Sequence, residues 1–133
     1  MGLLEPGGDI IIFSECSEGM GSEEYVAAQR LLVELGAGPF RESLLKKSRA
    51  AIDEWQTEMQ LKPMEIGGVH LFSDALSKED RDLTGIDCAQ DGVSPIEFIK
   101  RIVGDTGGRI AVIPEGPYVI PRCGTVLPTT RFG

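Results

Sequence analysis

The sequence predicts an α/β fold, with a mostly parallel sheet flanked by helices. Two observations predict it. Short β-branched apolar runs bounded by turn residues occur at 10–13, 69–72 and 110–113, the pattern of strands buried on both faces. Between them lie segments with apolar residues at helical spacing, and strands that alternate with helices favour parallel pairing. The 133 residues suit a single domain, 1–133, large enough to bury a core without staples. This is a Rossmann-like arrangement.

Each element has its own signal. Residues 1–8, MGLLEPGG, read as the remnant of a helix and its stop, with Leu3 and Leu4 apolar before Pro6-Gly7-Gly8. The helix body would precede the chain, so the expectation is a C-terminal fragment of a two-domain protein. After strand 10–13, Ser22 is an N-cap with Glu23 and Glu24 in the first helical turn. Tyr25, Ala28, Leu32 and Leu35 then repeat at helical spacing until Gly36 and Gly38. Pro39 opens a short basic helical piece, RESLLKKS. A further helix is expected over 48–61, with Ala51, Ile52, Trp55 and Met59 on one stripe and Pro63 as its breaker.

Gly67-Gly68 leads into strand 69–72. SKEDRDL reads as a polar helical turn and GIDCA as a minor strand. Ser94-Pro95-Ile96-Glu97 combines an N-cap, a proline at the first helical position and a capping box. Ile96, Ile99, Ile102 and Val103 give that helix an apolar face, and Gly104, Gly107 and Gly108 end it. Strand 110–113 follows, then an edge strand at 118–120 and a loop-rich tail, 122–133.

Composition narrows the function. A net charge of −8 repels nucleic acid and anionic membranes. No run approaches the roughly 20 apolar residues of a membrane span, and the first residues lack the basic-then-apolar order of a secretory signal. The three cysteines, Cys16, Cys88 and Cys123, are odd in number and show no CxxC spacing. They indicate neither a disulfide frame nor a zinc knuckle, and a reducing cytoplasm is the simplest setting.

Each clear strand ends in a small residue or proline followed by a carboxylate: Ser14-Glu15, Ser73-Asp74 and Pro114-Glu115. Ligands of open parallel sheets bind beyond the carboxyl ends of the strands, so the three carboxylates are expected to converge there. The plainer reading is that they cap helices or face solvent. As hard oxygen donors they suit Mg²⁺ or Ca²⁺, without any EF-hand spacing in support. Gly19-Met20-Gly21 begins a dinucleotide fingerprint, but Glu24 stands where its last glycine belongs. Glu18, Glu23 and Glu24 would oppose a pyrophosphate. The single histidine, His70, lies inside a strand and reads as a core or interface residue. Cys16 has two glutamates nearby and reads as an inert thiol. From spacing alone, Trp55 packs the core.

Five motifs, in order, carry a more specific likeness: PGGDIIIFSECSEGMGSEEY, DEWQTEMQL, GVHLFSDAL, SPIEFI and GGRIAVIPEGPYVIP. Together they resemble the C-terminal domain of the nickel-dependent lactate racemase family, over residues 4–121. The resemblance implies a two-domain racemase or epimerase with its active site in the interdomain cleft. There a nickel-pincer nucleotide takes hydride from a 2-hydroxy acid and returns it to either face. It also implies that the cofactor and the acid/base histidines belong to the N-terminal catalytic domain, so this chain alone would be inactive and would hold no metal. Of the family's residues near cofactor or substrate, only the tryptophan of EWQ maps here, onto Trp55. The cleft wall expected from this chain comprises Trp55, Glu15, Ser17, Glu18, Gly19, Gly21 and Asp74. Two other readings stay open. One is a non-catalytic α/β module that binds a small ligand or a protein. The other is a methyltransferase-like enzyme, because EPGGDIIIF resembles a common turn-strand segment of that class.

Overall fold

The computed structural model describes residues 4–49, 51, 53–104 and 109–118. Three parallel strands form one sheet in the order β1-β2-β3: β1 (Asp9–Phe13), β2 (Gly68–Phe72) and β3 (Asp87–Cys88). The helices are α1 (Glu23–Leu35), α2 (Ala37–Leu45), α3 (Glu54–Ile66), α4 (Lys78–Leu83) and α5 (Pro95–Val103). The expected α/β class, with a parallel sheet flanked by helices, is therefore the observed one.

The cap signals in the sequence fix the helix starts. Ser22 accepts the Tyr25 amide at 3.1 Å, and Ser77 accepts the Asp80 amide at 3.1 Å. Ser94 and Glu97 form the complete reciprocal capping box of α5, with Pro95 at its first position. Gly36 at φ 80° ends α1 and leads straight into α2. Gly38 therefore lies inside the second helix and does not terminate the first.

Helix α3 departs from expectation at both ends. It begins at Glu54, after Asp53 in the left-handed region, not at 48. Ion pairing of Lys47 with the buried Glu54 closes the turn that precedes it. Pro63 does not break the helix, which continues to Ile66. Pro63 lacks the amide that would donate to the carbonyl four residues back, so α3 runs through it with one backbone bond missing. Ile52 of the expected stripe lies outside the described residues.

Close backbone approach explains the paired glycines. The Gly7 amide donates to the Ile66 carbonyl at 2.9 Å, and the Gly68 amide to the Gly8 carbonyl at 3.0 Å. A Cβ on Gly67 would stand 1.9 Å from the Gly8 carbonyl oxygen. The turn before β1 and the turn before β2 touch, which sets the two strands in register from Asp9 opposite Gly68 to Phe13 opposite Phe72.

Two cores result. Leu32, Phe40 and Leu61 join α1, α2 and α3. Phe72, Ala89 and Phe98, with Ile11, Val93 and Ile102 against them, join the sheet to α5. The aromatic anchor of α5 is thus Phe98, fully buried, whereas Ile96 and Ile99 of its expected apolar face are exposed.

Strand β1 is not buried on both faces. It is the edge of the sheet among the described residues, with Ile12 and Phe13 40% and 48% exposed. The expected strand at 110–113 is irregular here. Its residues pair with no strand among those described, and a strand without a ladder partner is not retained. Tyr118 belongs to a short 3₁₀ turn, Gly116–Tyr118, and not to an edge strand. Residues 119–120, the tail 122–133 and the stop glycines Gly107 and Gly108 lie outside the described residues.

Candidate functional site

A cleft of about 560 Å³ opens where β1 and β2 end, lined by Phe13, Ser14, Glu15, Ser17, Phe72, Asp74 and Ala75. This is the carboxyl edge of the parallel strands, where such sheets place their ligands. Its floor is aromatic: the Phe13 and Phe72 rings lie 5.4 Å apart, and Phe98 braces Phe72 from α5 at 5.8 Å. Its rim is polar and exposed, made by Glu15, Ser17 and Asp74.

The two strand-end loops are tied together. The Ser14 amide extends the ladder to the Phe72 carbonyl at 3.1 Å. The buried Ser73 hydroxyl donates to the Glu15 carbonyl at 2.9 Å. The Glu15 and Asp74 carboxylates are thus carried on backbones held by a cross-strand latch, while the side chains stay in water. Among the described residues, no lysine, arginine or histidine lines the cleft. It offers hydrogen-bond acceptors and hydroxyls over an apolar floor, and it supplies no counter-charge of its own to an anion.

Glu18, Gly19 and Gly21 lie in the turn that follows and do not line this cleft. Cys16, Gly19 and Gly21 all have positive φ, at 49°, 71° and 93°. The Gly19 amide donates to the Cys16 carbonyl at 2.9 Å, closing the turn. The loop ends at Ser22, whose hydroxyl donates to Asp53 at 2.7 Å. Asp53 immediately precedes α3, so the far end of the cleft loop is moored beside the start of the Trp55 helix.

Trp55 itself lies elsewhere. It is 61% exposed on α3 and borders a separate hollow of about 260 Å³ with Leu45, Lys47, Arg49 and Glu58. Trp55 and Met59 point outward, whereas Thr57 and Leu61 form the buried face of α3. Spacing alone could not separate the two stripes, because it does not show which one meets the core. Glu115 also lies away from the cleft, so two of the three strand-end carboxylates converge and the third does not.

His70 is held by carboxylates on both sides. Its Nε2 lies 2.8 Å from Asp9 and its Nδ1 2.7 Å from Asp87, and Arg101 of α5 donates to the same Asp87 oxygen at 2.7 Å. Partial burial would raise the Asp87 carboxyl, but hydrogen bonds from His70 and Arg101 outweigh it and hold the pKa below its ordinary value. This chain of charges starts at the amino-terminal end of the sheet and ties β1, β2, β3 and α5 together. A second set was not foreseen. Gln29, fully buried, donates to Tyr25 at 2.8 Å, to Gln60 at 2.9 Å and to Thr57 at 3.4 Å, and Gln60 donates to the Thr84 carbonyl at 2.6 Å. A polar residue at a core position of α1 was its only trace in the sequence.

Among the described residues, no group of three or more His, Cys, Asp and Glu side chains is placed to hold a metal ion. The sequence's one histidine, His70, is engaged by Asp9 and Asp87. No helix among the described residues is long and apolar enough to cross a membrane. No family model matches the chain, and no curated protein or solved structure matches it.

Proposed function

We propose that this chain is the C-terminal, cleft-forming domain of a lactate-racemase-like protein. One observation carries the reading. One of the two most specific motifs of the resemblance, ECSEGMGSEEY (the other is EWQTEMQL), begins at the carboxyl edge of β1, and its Glu15 and Ser17 line the cleft there with Asp74 of the GVHLFSDAL motif. In this reading the domain shapes one wall of an interdomain site, excludes water and orients substrate hydroxyl groups through Glu15, Ser17 and Asp74. Trp55 contributes a second contact surface toward the partner domain. The nickel-pincer nucleotide and the acid/base groups come from that partner. In this reading the partner also neutralises the substrate carboxylate, since the described cleft lining holds no cation. A cytoplasmic setting accompanies this reading.

The test is racemisation of a panel of 2-hydroxy acids by this chain joined to a nickel-loaded N-terminal domain, read by chiral chromatography. Turnover is expected with both parts and with neither alone. A folded two-part protein that racemises none of the panel overturns the reading.

The lining among the described residues holds carboxylates and no cation, which favours a second reading, a module that binds a small neutral or cationic ligand without catalysis. Saturable binding of such a ligand, lost in Asp74→Asn, with no racemisation in the two-part protein, would select it. The methyltransferase-like alternative predicts that S-adenosylmethionine raises the melting temperature.

A further inference from the structure

We infer that in solution residues 109–113 dock as a strap on the free edge of β1, as a fourth parallel strand that completes the cleft wall. Four observations point there. The edge is open and apolar, with Ile12 and Phe13 substantially exposed. The strap is itself β-branched and apolar, yet Ile110 and Val112 are 67% and 84% exposed. Such a pairing of open edge and bare strand sequence calls for cover.

The third observation sets direction. Arg109 forms an ion pair with Glu5, four residues before β1, so the strap begins near the amino-terminal end of that strand. A strap that docks from that end runs the same way as β1. The fourth concerns the connection. Helix α5 leans over β1, its Phe98 ring meeting Phe13 edge-on at 6.4 Å. It shares a core with Ile11 and Phe72 that contains no residue of α1 to α4 among those described. A return from β3 to the far side of β1 reverses the direction of travel across the sheet. It keeps the favoured right-handed crossover when its helix lies on the face away from the earlier helices.

The docking has a consequence for the site. With the strap starting level with Asp9, Ile113 comes to stand beside Phe13 and Glu115 reaches the level of Glu15. The third strand-end carboxylate then joins the rim that Glu15 and Asp74 already form. The inference does not depend on the racemase reading.

Amide hydrogen exchange on the full chain tests it. The Ser14 amide points to β2, and strand alternation turns Ile10 and Ile12 the same way. The amides of Ile11 and Phe13 therefore face the open edge. Slow exchange at Ile11 and Phe13, matching that of Ile10 and Ile12, is the expected result. It should be lost in the pair Ala111→Pro with Val112→Pro, which removes the strap's inward donor in either register, while β2 stays protected. Arg109→Glu should weaken the protection and Glu5→Arg should restore it. Fast exchange at Ile11 and Phe13 in the unaltered chain overturns the inference. So does protection that disappears on dilution, because the edge would then be covered by a second copy.

Discussion

At the scale of single residues, the buried polar groups carry the sharpest predictions. The orientation of the Gln29 amide is dictated by its neighbours. Gln60 spends its NH₂ group on the Thr84 carbonyl and so turns its oxygen to Gln29. The Gln29 oxygen is left buried without a donor among the described residues. Gln29→Leu removes that orphan but strips a donor from Gln60 and Thr57, and should cost about 1–3 kcal/mol in urea denaturation. Gln29→Glu should cost more at neutral pH, since a buried carboxylate would face the Gln60 oxygen at close range. If the two variants prove equally stable, the donor role of Gln29 is wrong.

Asp87 makes a pH-dependent prediction. Its pKa is lower in the folded chain than its ordinary 3.8. A depressed carboxyl contributes stability that is complete above the unfolded value and is lost as pH falls through the folded one. Asp87→Asn should therefore lower the melting temperature near pH 6, and the gap to the parent should close as pH falls below 3.8. Glu54 follows the same rule. Burial opposes its ionisation, but Lys47 and the Ala51 amide overcome it and hold its pKa down. A gap for Asp87→Asn that stays constant from pH 6 to acid would show that the His70–Asp87–Arg101 contacts do not act through charge.

At the scale of elements, the serine-capped helix starts were legible and the buried faces were not. Ser22, Ser77 and Ser94 cap by local chemistry that the sequence states directly. Which side of α5 faces the sheet depends on what the sheet presents, and Phe72 with Phe13 presents a slot for one aromatic ring. Phe98→Ala should cost about 3–5 kcal/mol. Ile96→Ala, at a position 65% exposed, should stay within about 0.5 kcal/mol of the parent. Urea midpoints at constant slope check both. Comparable losses at the two positions would mean that Ile96 is covered in solution. The missed start of α3 has the same origin: a tertiary pair, Lys47 with Glu54, decides where that helix begins.

At the scale of the whole molecule, the sequence located the cleft but not its full membership. Strand ends followed by carboxylates marked Glu15 and Asp74, because the carboxyl edge of a parallel sheet is defined by chain direction alone. The aromatic floor was hidden, since Phe13 and Phe72 read simply as strand residues. Trp55 was misjudged by periodicity, which sees spacing but not which stripe meets the core. Its exposure now separates packing from function. In this chain by itself, Trp55→Ala should leave the melting temperature essentially unchanged, because a residue 61% exposed stabilises little by burial. In the two-part protein the same substitution should reduce racemisation if Trp55 meets the partner domain or its substrate. Stability lost in the single chain would return Trp55 to packing. Stability and turnover both unchanged would remove Trp55 from the proposed site and leave the carboxyl-edge cleft to carry that proposal.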